Sequence, residues 1–203
     1  VDYEEPTGPK GKSPWITLNG EEIADSQLIM ERLGPKYGKD FSTHLSPEEK
    51  VIARSMRIMV EDHFLWCYAY WRYIIDDMKA FRTVAKIPKS LLLLFYTFKG
   101  YVWKVMKMQG IGRHTPQEIE EMGRKDLAAL STWLGDKPFF MGAAPTEVDC
   151  AIFGTLAQIQ WNSPGSPYLQ MFDSKFPNLA AYCMRVKEKF WPDWNKCLDP
   201  PRA

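Results

Sequence analysis

The sequence predicts an α+β protein in which a short hairpin-and-helix unit precedes a larger all-helical one. Three observations predict it. Two β-type runs flank Asn19-Gly20, a dipeptide suited to the two positive-φ positions of a type I′ hairpin. From Ser46 onward, apolar residues recur at three- and four-residue spacings, the period of helices with one buried face. Between them, a polar stretch up to residue 45 marks a natural boundary. The expected division is residues 1–38 and 46–203.

In chain order, a Lys/Gly-rich turn leads to Ser13-Pro14 and the strand Trp15 to Leu18, and a short return strand runs from Glu21 to Ala24. Asp25-Ser26 then opens an amphipathic helix expected to end before Gly34. Ser46-Pro47-Glu48-Glu49 is a capping box with proline at the first helical position. Its helix is expected to run to about Lys79, with Met56, Met59, Val60, His63, Phe64, Cys67, Tyr70, Trp71 and Ile74 forming one apolar face. A second helical segment covers about 89–108, and a third opens at the capping box Thr115 to Glu118 and stops at Gly135. Phe139 to Gly142 reads as extended. Thr146 and Asp149 then cap a helix, Cys150 to Gln160, apolar on most sides and expected to be fully buried. A final helix begins at Phe176-Pro177-Asn178, and the Trp-containing tail from Trp191 is expected to pack back on the surface.

Composition narrows the function. With 203 residues, 45% of them hydrophobic, the chain is long enough for a real core. The net charge of +1 comes from well-mixed acids and bases, without a basic stripe to recruit nucleic acid. Cys67, Cys150, Cys183 and Cys197 are widely spaced, which supports neither a zinc site nor a disulfide framework. Free thiols favour the cytosol. The apolar run Leu91 to Tyr96 is too short to cross a bilayer. Lys99, Lys104 and Lys107 beside Tyr101 and Trp103 would allow a loose membrane-surface contact of residues 88–108, although a core or partner-facing helix explains them better.

Spacing alone explains Ser13-Pro14 as an ordinary turn and Asp25-Ser26 as an N-cap. The whole stretch KGKSPWITLNGEEIADSQLIMERL, however, resembles the second half of the thioredoxin-like domain of glutathione transferases. KPFFMGAAPTEVDCAIFG and FPNLAAYCMRV resemble the hallmarks of that superfamily's helical C-terminal domain. GPKGKSPWITLNG, IADSQLI and GIGRHTPQEI are most similar to its failed axon connections and metaxin-like group. The resemblance implies a cis bond before Pro14, and glutathione held at Lys12, Ser13, Pro14, Asp25 and Ser26. Physical chemistry agrees, because a helix N-terminus offers free N–H groups and a positive dipole end to a carboxylate. A thioredoxin-like domain opens with a strand, a helix and a second strand. Here residues 1–5 read only as the tail of that second strand, so the thiol-activating residue is expected to lie outside this sequence and no catalytic residue is assigned.

The resemblance also implies a homodimer and an apolar substrate site walled by Trp66 and Tyr70 where they face outward; turned inward, these aromatics and Trp71 are core, the reading preferred for most of them. His63 follows Glu61-Asp62 with no second ligand recognised at i+4, and is expected to be a hydrogen-bonded core or groove residue. Arg113-His114 reads either as an anion site near the interdomain cleft or, with slight preference, as a cap on the carbonyls of the preceding helix, and Asp76-Asp77 is expected to form a solvated helix face. Met56, Met59, Met106, Met108 and Met122 read as adaptable packing. Two functions compete. The first is conjugation of glutathione, a small-molecule thiol, to an apolar electrophile. The alternative is a non-catalytic scaffold with a protein or membrane-surface partner.

Overall fold

The computed structural model describes residues 8–84 and 92–198, so the expected opening strand at residues 1–5 and the start of the Leu91 run lie outside it. The chain divides into two compact units, one ending at His44 and the other beginning at Leu45.

In the first unit, β1 (Trp15–Leu18) pairs antiparallel with β2 (Glu21–Ala24), with Trp15 opposite Ala24 and Leu18 opposite Glu21. Asn19 (φ 53°) and Gly20 (φ 85°) supply the two positive-φ positions that hold this register. Helix α1 (Ser26–Tyr37) follows. It does not stop before Gly34 as expected, but continues through Gly34-Pro35 to a left-handed cap at Gly38. Pro35, inside the helix, offers no N–H to the Glu31 carbonyl one turn earlier. The carbonyl of Gly34 accepts from the amides of Gly38 and Lys39, so the final turn is closed despite the proline.

The second unit is helical. Ser46 caps α2 (Pro47–Ile58) through the predicted box, its hydroxyl accepting from the Glu49 amide while the Glu49 carboxylate accepts from the Ser46 amide. The helix continues through a π-helical segment, Met59–Phe64, then α3 (Leu65–Tyr70) and a second π-helical segment, Trp71–Ile75. It ends there and not near Lys79. Asp77 (φ 55°) and Met78 (φ 58°) turn the chain through the left-handed region, an unfavourable conformation for methionine that burial of its side chain helps to hold. Asp76 and Asp77 are not a solvated face. Asp76 accepts from the amide of Ala80 at the start of α4 (Lys79–Val84), and Asp77 pairs with Lys99 at 2.7 Å.

Helices α5 (Leu92–Gln109) and α6 (Pro116–Leu134) are joined through a short 3₁₀ turn, Ile111–Arg113. His114 leans toward Glu118, at 3.9 Å. Next come α7 (Glu147–Asn162), α8 (Pro167–Ser174), α9 (Pro177–Phe190) and α10 (Trp194–Leu198). Helix α8 was not anticipated, although Ser166-Pro167 is an ordinary N-cap and N1 pair. The fully buried centre gathers Phe64, Leu127, Leu130, Ile152, Leu156, Phe172 and Leu179. Helix α7 is not buried all round as expected, because Cys150 and Gly154 face solvent. Among the methionines, Met106 fills the core but Met108 is 72% exposed. The tail packs back as the sequence suggests. Trp191 stacks on Phe153 at 5.2 Å, Trp194 meets Trp161 at 4.8 Å, and the Lys187 ammonium covers both Trp161 and Trp194.

Gly123 on α6 lies directly against Tyr168, where an added Cβ would meet the ring at 2.7 Å and the hydroxyl at 2.8 Å. Gly123→Ala is therefore expected to destabilise the protein by about 1–3 kcal/mol of overpacking. Set against the roughly 1 kcal/mol that alanine adds in helix propensity, the expected net loss is about 0–2 kcal/mol. Urea unfolding checks the sign.

Candidate functional site

The first unit brings the proposed glutathione residues side by side. The Ser13–Pro14 peptide bond is cis. The Pro14 carbonyl accepts from the Asp25 amide at 3.3 Å, one step beyond the Trp15–Ala24 pair, so the hairpin itself sets the proline beside the start of α1. Lys12, Ser13, Pro14, Asp25 and Ser26 are all exposed.

Asp25 is the outlier. At φ 97° and ψ 125° it occupies a region that residues other than glycine rarely adopt. Its Oδ1 accepts from the amides of Gln27 (2.9 Å) and Leu28 (3.3 Å), which fixes the carboxylate over the first turn of α1. A capping residue has no need of such a backbone, since caps ordinarily sit in the extended region. Strain of this kind persists where a side chain must be aimed. Ser26, next to it, places its hydroxyl at the helix N-terminus and makes no hydrogen bond among the described residues. The Gln27 amide donates to Glu31 at 3.0 Å, and its carbonyl oxygen is buried without a donor. A carboxylate here would meet the Ser26 hydroxyl and the positive end of the dipole, the Gln27 and Leu28 amides being taken by Asp25. An ammonium beside it would meet Asp25.

The predicted apolar-site residues belong to the second unit and differ from one another. Trp66 is partly buried against the core. Tyr70 is turned inward and buried, with its ring 6.2 Å from that of Trp103, so it serves as core and not as an exposed substrate wall. The exposed aromatic surface of this unit lies elsewhere, on α5, where Tyr101 is 65% exposed and accompanied by Phe98, Trp103 and Met108.

Inside the second unit, Asp149 organises a buried polar centre. Its Oδ1 accepts from the Phe140 amide (2.9 Å) and the Tyr182 hydroxyl (3.1 Å), and its Oδ2 from the amide (2.8 Å) and hydroxyl (3.0 Å) of Thr146. Burial also pushes up the phenol of Tyr168 and the thiol of Cys183, the latter to about 12, as it does the phenols of Tyr68 and Tyr182. In each case the charged form is the one disfavoured.

One constellation escaped the sequence reading. His63 Nδ1 lies 2.6 Å from Asp126 Oδ2, and the ligand atoms of His63, Cys67 and Asp126 all lie within 4.8 Å of one another. Cys67 is in fact the i+4 neighbour of His63, so that part of the expectation is corrected. A signal for two of the three residues was present in the helical spacing. Asp126, sixty-three positions away, carried none.

Comparison with known proteins accords with this architecture. The glutathione S-transferase N-terminal domain family matches residues 1–78, and the C-terminal domain family matches residues 123–186. The chain belongs to the glutathione S-transferase superfamily. Within it, the chain is similar to Failed axon connections of Drosophila melanogaster, with 37% identity over 92% of this chain and 48% of that protein. It thus spans about half the length of that relative. It is also similar to the isoprene-epoxide–glutathione S-transferase of a Rhodococcus strain, at 28% over 90% of this chain and 79% of that one. Metaxin-2 of Mus musculus matches at 27% over 93% of this chain and 73% of its own. A Bombyx mori glutathione transferase structure superposes with TM-score 0.54 at 19% identity, covering 94% of this chain and 70% of that one, which speaks for the fold.

Proposed function

We propose that this chain is an interaction protein built on the glutathione transferase fold, of the failed axon connections and metaxin type, which binds glutathione without conjugating it. The observation that carries the reading is its similarity to Failed axon connections across 92% of its length. One structural feature supports it. The α5 aromatics offer an apolar surface of the kind that protein partners cover. Among the described residues no helix is long and apolar enough to cross a membrane.

Two measurements on the full-length protein test this. Conjugation of glutathione to a chlorinated nitroarene is expected to run no faster than the uncatalysed reaction. A photo-crosslinker placed at Tyr101 is expected to trap a discrete protein partner in cells, whereas one at Val51, equally exposed on α2, traps none. No adduct at Tyr101 would remove the interaction reading.

The second reading is conjugation itself, favoured by the strained Asp25 beside Ser26 and by the likeness to the isoprene-epoxide enzyme. A rate enhancement abolished by Ser26→Ala would establish it in place of the first.

A further inference from the structure

Three side chains with different ligand chemistries meet in the second unit. His63 and Cys67 are one helical turn apart, with His63 in the π-helical segment Met59–Phe64 and Cys67 in α3. Asp126 comes from α6. The thiol of Cys67 is fully buried and Asp126 nearly so, while the His63 side chain is 45% exposed. The arrangement therefore has a closed inner wall and one side open to water. Gly123, a turn before Asp126 on α6, lets Tyr168 pack close by, and Tyr168 stands edge-on to Phe64.

As packing alone, this is a costly combination. A buried carboxylate is retained with one partly exposed imidazole as its hydrogen-bond partner, and a thiol is set close to both. A metal ion accounts for all three. An imidazole, a thiolate and a carboxylate are the donor types that zinc takes, at about 2.0–2.3 Å. Those bond lengths put tetrahedral ligand atoms roughly 3.3–3.7 Å apart, inside the 4.8 Å that encloses the cluster here. The 2.6 Å hydrogen bond between His63 and Asp126 opens by less than about 1 Å to admit the ion. Sulfur among the ligands disfavours magnesium and calcium, which take oxygen. Three protein ligands with an open side leave the fourth position for water, as in open zinc sites.

We propose that His63, Cys67 and Asp126 form a site for a borderline-soft divalent metal ion of the zinc class, completed by a water on the exposed side of His63. The site uses none of the glutathione residues, which belong to the first unit.

The test is titration of the chelator-treated, fully reduced full-length chain with cobalt(II) alone. One equivalent is expected to bind, with a thiolate-to-cobalt charge-transfer band in the near ultraviolet and tetrahedral d–d bands, both displaced by zinc. Cys67→Ser is expected to abolish the charge-transfer band, with circular dichroism checking that the fold survives. His63→Ala alters a half-exposed side chain and leaves the buried thiol in place, so it tests the site even if the cysteine variant fails to fold. It is expected to weaken binding at least tenfold, the scale on which the surroundings of a metal govern affinity. Absence of saturable binding, a charge-transfer band that survives in folded Cys67→Ser, or unchanged affinity in His63→Ala would each overturn the proposal.

Discussion

Asp149→Ala is expected to destabilise the protein by about 3–5 kcal/mol, the scale of leaving several buried donors unpaired. The substitution removes a single acceptor group that satisfies four donors: the amides of Phe140 and Thr146 and the hydroxyls of Thr146 and Tyr182. All four come from buried residues, and each buried donor left unpaired costs about 1–3 kcal/mol. Part of the loss is recovered because the Tyr182 hydroxyl still reaches the residue-149 carbonyl, 3.2 Å away. Water entering the vacated space would recover more. Residues Phe139–Gly142 are not the extended segment expected but a tight turn closed by a Phe139–Gly142 bridge, and the same carboxylate ties the start of α7 to this turn and to α9, so three parts of the helical unit loosen together. Tyr182→Phe is expected to be much milder, about 1 kcal/mol, since Asp149 keeps its other donors. Urea unfolding of the two variants measures the contrast, and equal losses would show that the network does not work as a unit.

The second large effect concerns binding. Ser26→Ala removes a hydroxyl proposed to donate to a ligand carboxylate, a charged hydrogen bond worth about 1.5–3 kcal/mol, or roughly ten- to a hundredfold in affinity. Asp25→Gly is the more discriminating change. Glycine accepts a φ of 97° without strain and is a fair N-cap, so the substitution is expected to leave stability within about 1 kcal/mol of the parent. It also deletes the carboxylate proposed to hold the γ-glutamyl ammonium, and glutathione affinity is expected to fall tenfold or more. Stability and binding thus separate at one position. If Asp25 were a cap and nothing else, Asp25→Gly would leave calorimetric titration with glutathione unchanged.

Much of this fold is legible in the sequence because its signals are local. Asn19-Gly20 carries the hairpin, and the boxes at Ser46, Thr115 and Thr146 carry three helix starts, since a cap is settled within three or four residues. The misreadings share a physical cause. Met78 at φ 58° has no local signature, because burial and not intrinsic preference holds it there. Pro35 reads as a stop, yet the Gly34 carbonyl and the Gly38 cap let the helix finish around it. Tyr70 sits on a helix with aromatic residues on several faces, and only tertiary packing decides which of them turn inward.

The site divides in the same way. Pro14, Asp25 and Ser26 are brought together by one hairpin, so their proximity follows from chain order. The His63–Asp126 contact joins two helices far apart in sequence, and no periodic pattern encodes such a pairing.

The most direct measurement is a crystal structure of the full-length protein grown with saturating reduced glutathione. The account predicts density for the tripeptide against the first unit, its γ-glutamyl carboxylate on the Ser26 hydroxyl and its amino group on Asp25. Clear density for the protein with none for the ligand at that helix end, or a tripeptide bound away from Ser26, would contradict it.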